Sequence, residues 1–115
     1  MENSDSEDHV EMYLRELANV EPLPDEEMAD LFRKVLNGEY AKKRLIEAHL
    51  RLVVEIAETY ASTRVPKLDL IQYGNLGLMR AVDDFAQKPV GNFIAYAKVR
   101  INGEIVKFVK TSRQT

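Results

Sequence analysis

The sequence predicts an all-α protein, a compact bundle of about five helices, and two observations carry that expectation. Apolar residues recur at spacings of three and four through each long segment, the rhythm of one helix face. Helix breakers stand between those segments: Pro22 and Pro24, Asn37-Gly38, Val65-Pro66-Lys67 and Lys88-Pro89-Val90-Gly91. At 115 residues the chain has room for one domain, which would bury roughly 65% of the surface its unfolded form exposes.

Residues 1–7 read as an acidic lead-in and residues 8–115 as the single helical domain. The first helix is predicted over residues 9–20, with Val10, Tyr13, Leu14 and Leu17 on one side, and Pro22 and Pro24 end it. A second, over 25–37, opens on Asp25, Glu26 and Glu27, which suit the positive end of a helix dipole. It is expected to bury Met28, Leu31, Phe32, Val35 and Leu36, and Gly38 is the natural residue just past its end. A longer helix over 39–62 places Leu45, Ala48, Leu52, Ile56 and Tyr60 among its apolar positions. Helices over 68–85 and 92–110 complete the set, without internal repeat or low-complexity segment.

Composition excludes several classes of chemistry. Cysteine is absent, which removes disulfides and thiolate metal sites and suits a reducing cytoplasm. The acidic, polar amino terminus has no basic region and no long apolar run, so a cytoplasmic protein without membrane contact is expected. His9 and His49 fall on separate predicted helices without an i,i+4 partner, so no metal site is expected. Asp83 and Asp84 are adjacent on a helix, about 100° apart, and face different directions, unlike a catalytic carboxylate pair. With no phosphate loop, nucleophile elbow or H-E-x-x-H motif, neither an enzyme nor a cofactor is expected.

The net charge of −3 hides opposite ends. Residues 1–30 hold eleven acidic side chains against Arg15 alone, whereas residues 86–115 hold six basic ones against Glu104 alone. The basic end coincides with the last predicted helix, whose inner stripe is Ile94, Ala97, Ile101, Ile105 and Phe108. Its outer stripe, Tyr96, Arg100, Gly103, Lys107 and Lys110, joins an aromatic ring to cations. In single-stranded binders bases stack on such rings, for about 1–3 kcal/mol each, while cations hold phosphates.

The helix over 68–85 has more apolar surface than one core can use. Ile71, Gly74, Leu78, Val82 and Phe85 form one stripe suited to packing on neighbouring helices. Asp69, Gln72, Leu76, Met79 and Asp83, with Asn75 beside them, form a second that mixes aliphatic and polar side chains, as a docking surface does. Periodicity alone leaves two readings open for this segment, a protein-binding helix and an ordinary core helix.

The same residues carry a resemblance. The run D-L-I-Q-x-G-N-L-G-L-M-R-A-V-D-x-F, from Asp69 to Phe85, resembles the core-binding helix of bacterial sigma factors of the sigma-70 family. The resemblance implies docking on a coiled coil of the largest subunit of RNA polymerase core, through Asp69, Leu70, Gln72, Asn75, Leu76 and Met79. Tyr73 departs from the pattern, since many members have an acidic residue there.

Phe93-Ile94-Ala95-Tyr96-Ala97 is similar to the F-x-x-Y-A segment that begins the family's promoter-opening helix. Val99 and Arg100 stand where primary sigma factors have a tryptophan pair, and Arg100-Ile101-Asn102-Gly103-Glu104-Ile105 resembles the R-I-x-G-x-I pattern of the flagellar, stress-response and sporulation branch. The family's base-reading positions fall near Gly103 and Val106, which have no side chain able to hydrogen-bond a base edge. Met12–Leu17 and Arg44–Val54 resemble the segments before and at the entry to the core-binding region, regions 1.2 and 2, so the similarity covers about residues 8–110.

Two functions are compatible with these expectations. In one, the chain is a sigma-type initiation domain that binds polymerase core and captures the non-template strand of the minus-ten promoter element with Phe93, Tyr96, Lys98, Arg100, Lys107 and Lys110. In the other, it is a sigma-like adaptor or competitor that binds core without opening promoters. An anti-sigma or accessory protein is a further partner class that the resemblance implies. No further promoter-reading domain is expected within these residues, whether the chain is a natural one-domain relative or a piece of a longer factor.

Overall fold

Proline and side-chain hydrogen bonds set the helix boundaries. Pro24 and Pro66, both in extended conformation, immediately precede helices, where a missing N–H costs nothing. The computed structural model describes the backbone of residues 2–114 and the side chains of residues 9–36 and 38–112. Among the described residues six α-helices follow one another: α1 Glu2–Ala18, α2 Asp25–Lys34, α3 Glu39–Ala48, α4 Leu50–Glu58, α5 Lys67–Gln87 and α6 Phe93–Gln114. None is long and apolar enough to cross a membrane.

Helix α1 begins at Glu2, earlier than the periodicity from residue 9 suggested, so the backbone of most of the acidic lead-in is helical. Helix α2 carries its acidic triplet in the first turn and Arg33 and Lys34 in the last, each complementing the dipole. A 3-10 turn, Val35–Asn37, closes it, and Gly38 follows in ordinary extended backbone (φ 178°) instead of the left-handed cap expected of it. Leu36 falls on the outside of this turn and is 70% exposed, a correction to its expected place in the core.

The predicted helix over 39–62 is two helices meeting at His49 (φ −117°, ψ 8°). Its Nδ1–H donates to the Leu45 carbonyl at 2.7 Å, taking the acceptor that the His49 backbone N–H would use in an uninterrupted helix. That N–H turns to Ile46 O at 3.0 Å instead. The predicted end at residue 62 also retreats, because the chain after Glu58 tightens into turns in which Thr59 and Thr63 donate hydroxyl hydrogen bonds to Ile56 O and Tyr60 O.

Helix α6 is started by Asn92, whose Oδ1 accepts the Ala95 N–H at 3.0 Å. Gly91 before it has φ 77°, a conformation that other residues rarely adopt. Helices α5 and α6 pack antiparallel along most of their lengths, and two glycines set how close they come. A Cβ on Gly77 would stand 2.7 Å from Arg100 O and 2.9 Å from Ile101 Cα, so the α6 backbone rests directly on α5 there. Gly74 makes similar room for Val53 of α4, 2.6 Å from its ideal Cβ position.

Around this crossing Leu45, Val53, Leu70, Leu78, Val82, Ile101 and Ile105 are fully buried. At one end of the core Phe93 contacts Phe32, Phe85 and the edge of His49, with ring centroids 4.8, 5.4 and 5.0 Å away. The buried stripe of α6 is therefore Phe93, Ala97, Ile101, Ile105 and Val109, while Ile94, expected inside, is 39% exposed. Helix α1 lies against α4 and α5 and buries Val10 and Leu17.

Candidate functional site

Helix α5 turns its core stripe inward and leaves the second stripe outside. Gln72 and Met79 are exposed, and Asp69, Asn75 and Leu76 half-buried, on the side away from the core. Leu70 does not belong with them. At 1% exposure it is a core side chain, since it lies one position beyond Asp69 on a helix and so faces the interior.

Two grooves border this stripe. The first, about 350 Å³, lies between α1 and α5 and is lined by Met12, Tyr13, Glu16, Leu68, Gln72 and Asn75. Asn75 Nδ2 donates to Tyr13 Oη at 3.4 Å, but its Oδ1 is buried without a hydrogen-bond partner among the described residues. The second groove, about 490 Å³, is formed by the turns after α4 and the end of α6, with Arg64, Asp69 and Phe108 among its walls. Asp83 leaves the stripe to pair with Lys42 of α3 at 2.9 Å.

Between the exposed stripe of α5 and helix α6 runs a row of three cross-helix contacts. Tyr73 stacks on Phe108, centroids 3.9 Å apart and planes within 15°. Arg80 pairs with Glu104, which also lies 3.9 Å from Lys107. Asp84 Oδ2 accepts from Tyr96 Oη at 3.1 Å and pairs with Arg100 Nη2 at 3.3 Å. Asp83 and Asp84 thus serve different neighbours, as their angular separation on a helix required.

The outer stripe of α6 faces away from the core, as its periodicity predicted. Tyr96 and Arg100 are drawn together by Asp84, while Lys98, Lys107 and Lys110 stay exposed. Burial first, and then the Asp84 carboxylate, raise the Tyr96 hydroxyl above the usual tyrosine pKa and keep it a proton donor. Phe93, expected to hold the strand together with Tyr96, Lys98, Arg100, Lys107 and Lys110, is instead 3% exposed in the aromatic cluster and offers no face to a ligand. Facing solvent between the cations are Val99, 69% exposed, and Gly103, whose missing side chain would meet nothing within 4 Å.

Sequence reasoning missed three participants. Asp84 was weighed only as half of a carboxylate pair, although its spacing from Gly77 and Arg80 already put it on the side of α5 that meets α6. Gly77, three residues after Gly74, carried the signal of a close helix crossing. Glu104 was counted only as the one acid opposing the basic end. Among the described residues no group of three or more His, Cys, Asp or Glu could hold a metal ion.

Comparison with known proteins covers the helices that carry both stripes. The family model described as Sigma-70 region 2 matches residues 45–115, which include α4, α5 and α6. The chain is 43% identical over 110 residues to RNA polymerase sigma factor SigA of Clostridium acetobutylicum, covering 95% of this chain and 29% of that protein. It is 40% identical over 109 residues to the SigA of a Bacillus species, covering 94% of this chain and 29% of the relative. Against the SigA of Lactococcus lactis subsp. cremoris it is 39% identical over 113 residues, 95% of this chain and 31% of the relative. The chain therefore spans about three tenths of the length of these relatives.

Proposed function

The chain belongs to the sigma-70 family as a region 2 domain, and from that premise we propose that it docks on RNA polymerase core and holds a single promoter strand on α6. The observation that carries the first half is the outward stripe of α5. Leu76 and Met79 present apolar surface to solvent, Gln72 borders it, and Asn75 keeps a buried oxygen with no donor among the described residues. An orphaned acceptor costs about 1–3 kcal/mol, and a partner's N–H relieves it. The occupant fitting the family is the coiled coil of the largest polymerase subunit. Asp69 stands at the amino-terminal end of this surface.

The second half rests on α6. Tyr96 supplies a ring for one unpaired base, and Lys98, Arg100, Lys107 and Lys110 supply charge for the backbone of the non-template minus-ten strand. Each part acts by non-covalent capture, with no bond made or broken. The direct test is Met79→Asp or Leu76→Asp. Both leave the fold intact and abolish core binding, whereas unchanged binding would remove this face from the interface.

One observation favours the second reading, an adaptor or competitor that occupies core without opening promoters. Val99, Gly103 and Val106, along the solvent side of α6, have no group that hydrogen-bonds a base edge. Crosslinking the core-bound chain to a labelled non-template strand separates the two: strand capture requires the crosslink through Tyr96, and its absence leaves the adaptor.

A further inference from the structure

Three features of the α5–α6 seam point to a phosphate subsite that nothing in the family pattern used above assigns. The donors of Tyr96 and Arg100 converge on a single anionic oxygen, Asp84 Oδ2, at 3.1 and 3.3 Å. Two donors meeting at one oxygen, one of them charged, is how proteins hold a phosphate oxygen. The guanidinium is also unsaturated: Asp84 takes one arm, while Arg100 Nε is buried with no acceptor among the described residues. Finally, the side chains of Asp84 and Arg100 are 48% and 36% exposed, so a strand can reach the pair and a released Asp84 returns to water without being buried.

We propose that Asp84 is an internal stand-in for a nucleic-acid phosphate, occupying the Tyr96–Arg100 cradle until a backbone phosphate of the captured strand displaces it. This rests on the strand-capture reading of α6 and assigns one phosphate of that strand to one pair of residues. Displacement frees the guanidinium to turn, so that Nε and Nη2 both engage the phosphate. It also leaves the Tyr96 hydroxyl on the same anion, which fixes the ring on which a base stacks. Asp84 is in this sense a positioning residue: it holds both donors in place beforehand, and it competes with the ligand for them.

The test is binding of a short, labelled deoxynucleotide single strand to the full chain and to Asp84→Asn. Removing the competitor tightens binding about two- to fivefold, the worth of an exposed ion pair. Asp30→Asn removes an equal charge, from a carboxylate that pairs with Arg33 and Lys34 of its own helix, and leaves affinity unchanged. In Asp84→Asn, replacing one particular linkage of the strand by an uncharged methylphosphonate abolishes the gain, and adding Arg100→Gln makes that linkage indifferent. Equal tightening by Asp84→Asn and Asp30→Asn, or a gain indifferent to every linkage, overturns the subsite and leaves strand capture standing.

If no variant binds the strand, strand capture itself fails, and inorganic phosphate decides the cradle. A saturable shift of the Arg100 Nε–H resonance on titrating phosphate into Asp84→Asn supports it. No shift overturns it.

Discussion

Gly77 lies against the backbone of Arg100, so closely that a Cβ added to it would stand 2.7 Å from the Arg100 carbonyl oxygen. Helix α6 is thereby held at a fixed height on helix α5. Gly77→Ala has backbone as its obstacle and cannot be relieved by a rotamer change, so it lowers stability by about 1–3 kcal/mol despite alanine's better helix propensity. Gly103→Ala, in open space on α6, goes the other way by up to about 1 kcal/mol. Denaturant unfolding of the two variants checks the opposite signs.

Leu70 and Met79, which the family resemblance groups together, separate by depth. Leu70→Ala opens a cavity in the core and costs about 2–5 kcal/mol, whereas Met79→Ala stays within about 0.5 kcal/mol of the parent. Unfolding midpoints of the two variants measure the difference.

How much was legible beforehand follows from these positions. Helix periodicity located both outward stripes, because an outward stripe needs only the 3.6-residue repeat. It could not place Leu70 or Phe93, since whether a residue at the edge of a stripe is buried depends on which helix packs beside it. The break at His49 was invisible for a different reason: a side-chain hydrogen bond to Leu45 O replaced a backbone one, within a sequence that otherwise reads as continuous helix. Asp84 was legible as a charge but not as a partner, because Tyr96 and Arg100 meet it only across the α5–α6 seam.

Acid weakens the domain through His49. Burial holds the folded-state pKa of this histidine below its ordinary value, so the folded protein favours the neutral ring more than the unfolded chain does. Its contribution is complete above the unfolded pKa of about 6.5 and is lost as pH falls from there through the lower folded value. Stability measured between about pH 7 and 5 declines, and the His49→Gln variant, though less stable at neutral pH, shows a flatter profile across that window.

Salt is expected to weaken the proposed strand complex. If Lys98, Arg100, Lys107 and Lys110 each neutralise a phosphate of single-stranded DNA, affinity falls about fiftyfold between about 50 and 200 mM salt. A fluorescence titration at several salt concentrations reads the slope, and Lys110→Gln reduces it by about 0.7.

The most direct measurement is core polymerase binding by the purified chain, followed in the same samples by crosslinking to a labelled non-template minus-ten strand. A sigma-type initiation domain binds core, loses that binding with Met79→Asp, and crosslinks the strand through α6 only while bound. Failure of the purified chain to bind core would contradict the assignment of the α5 stripe as a polymerase-docking surface.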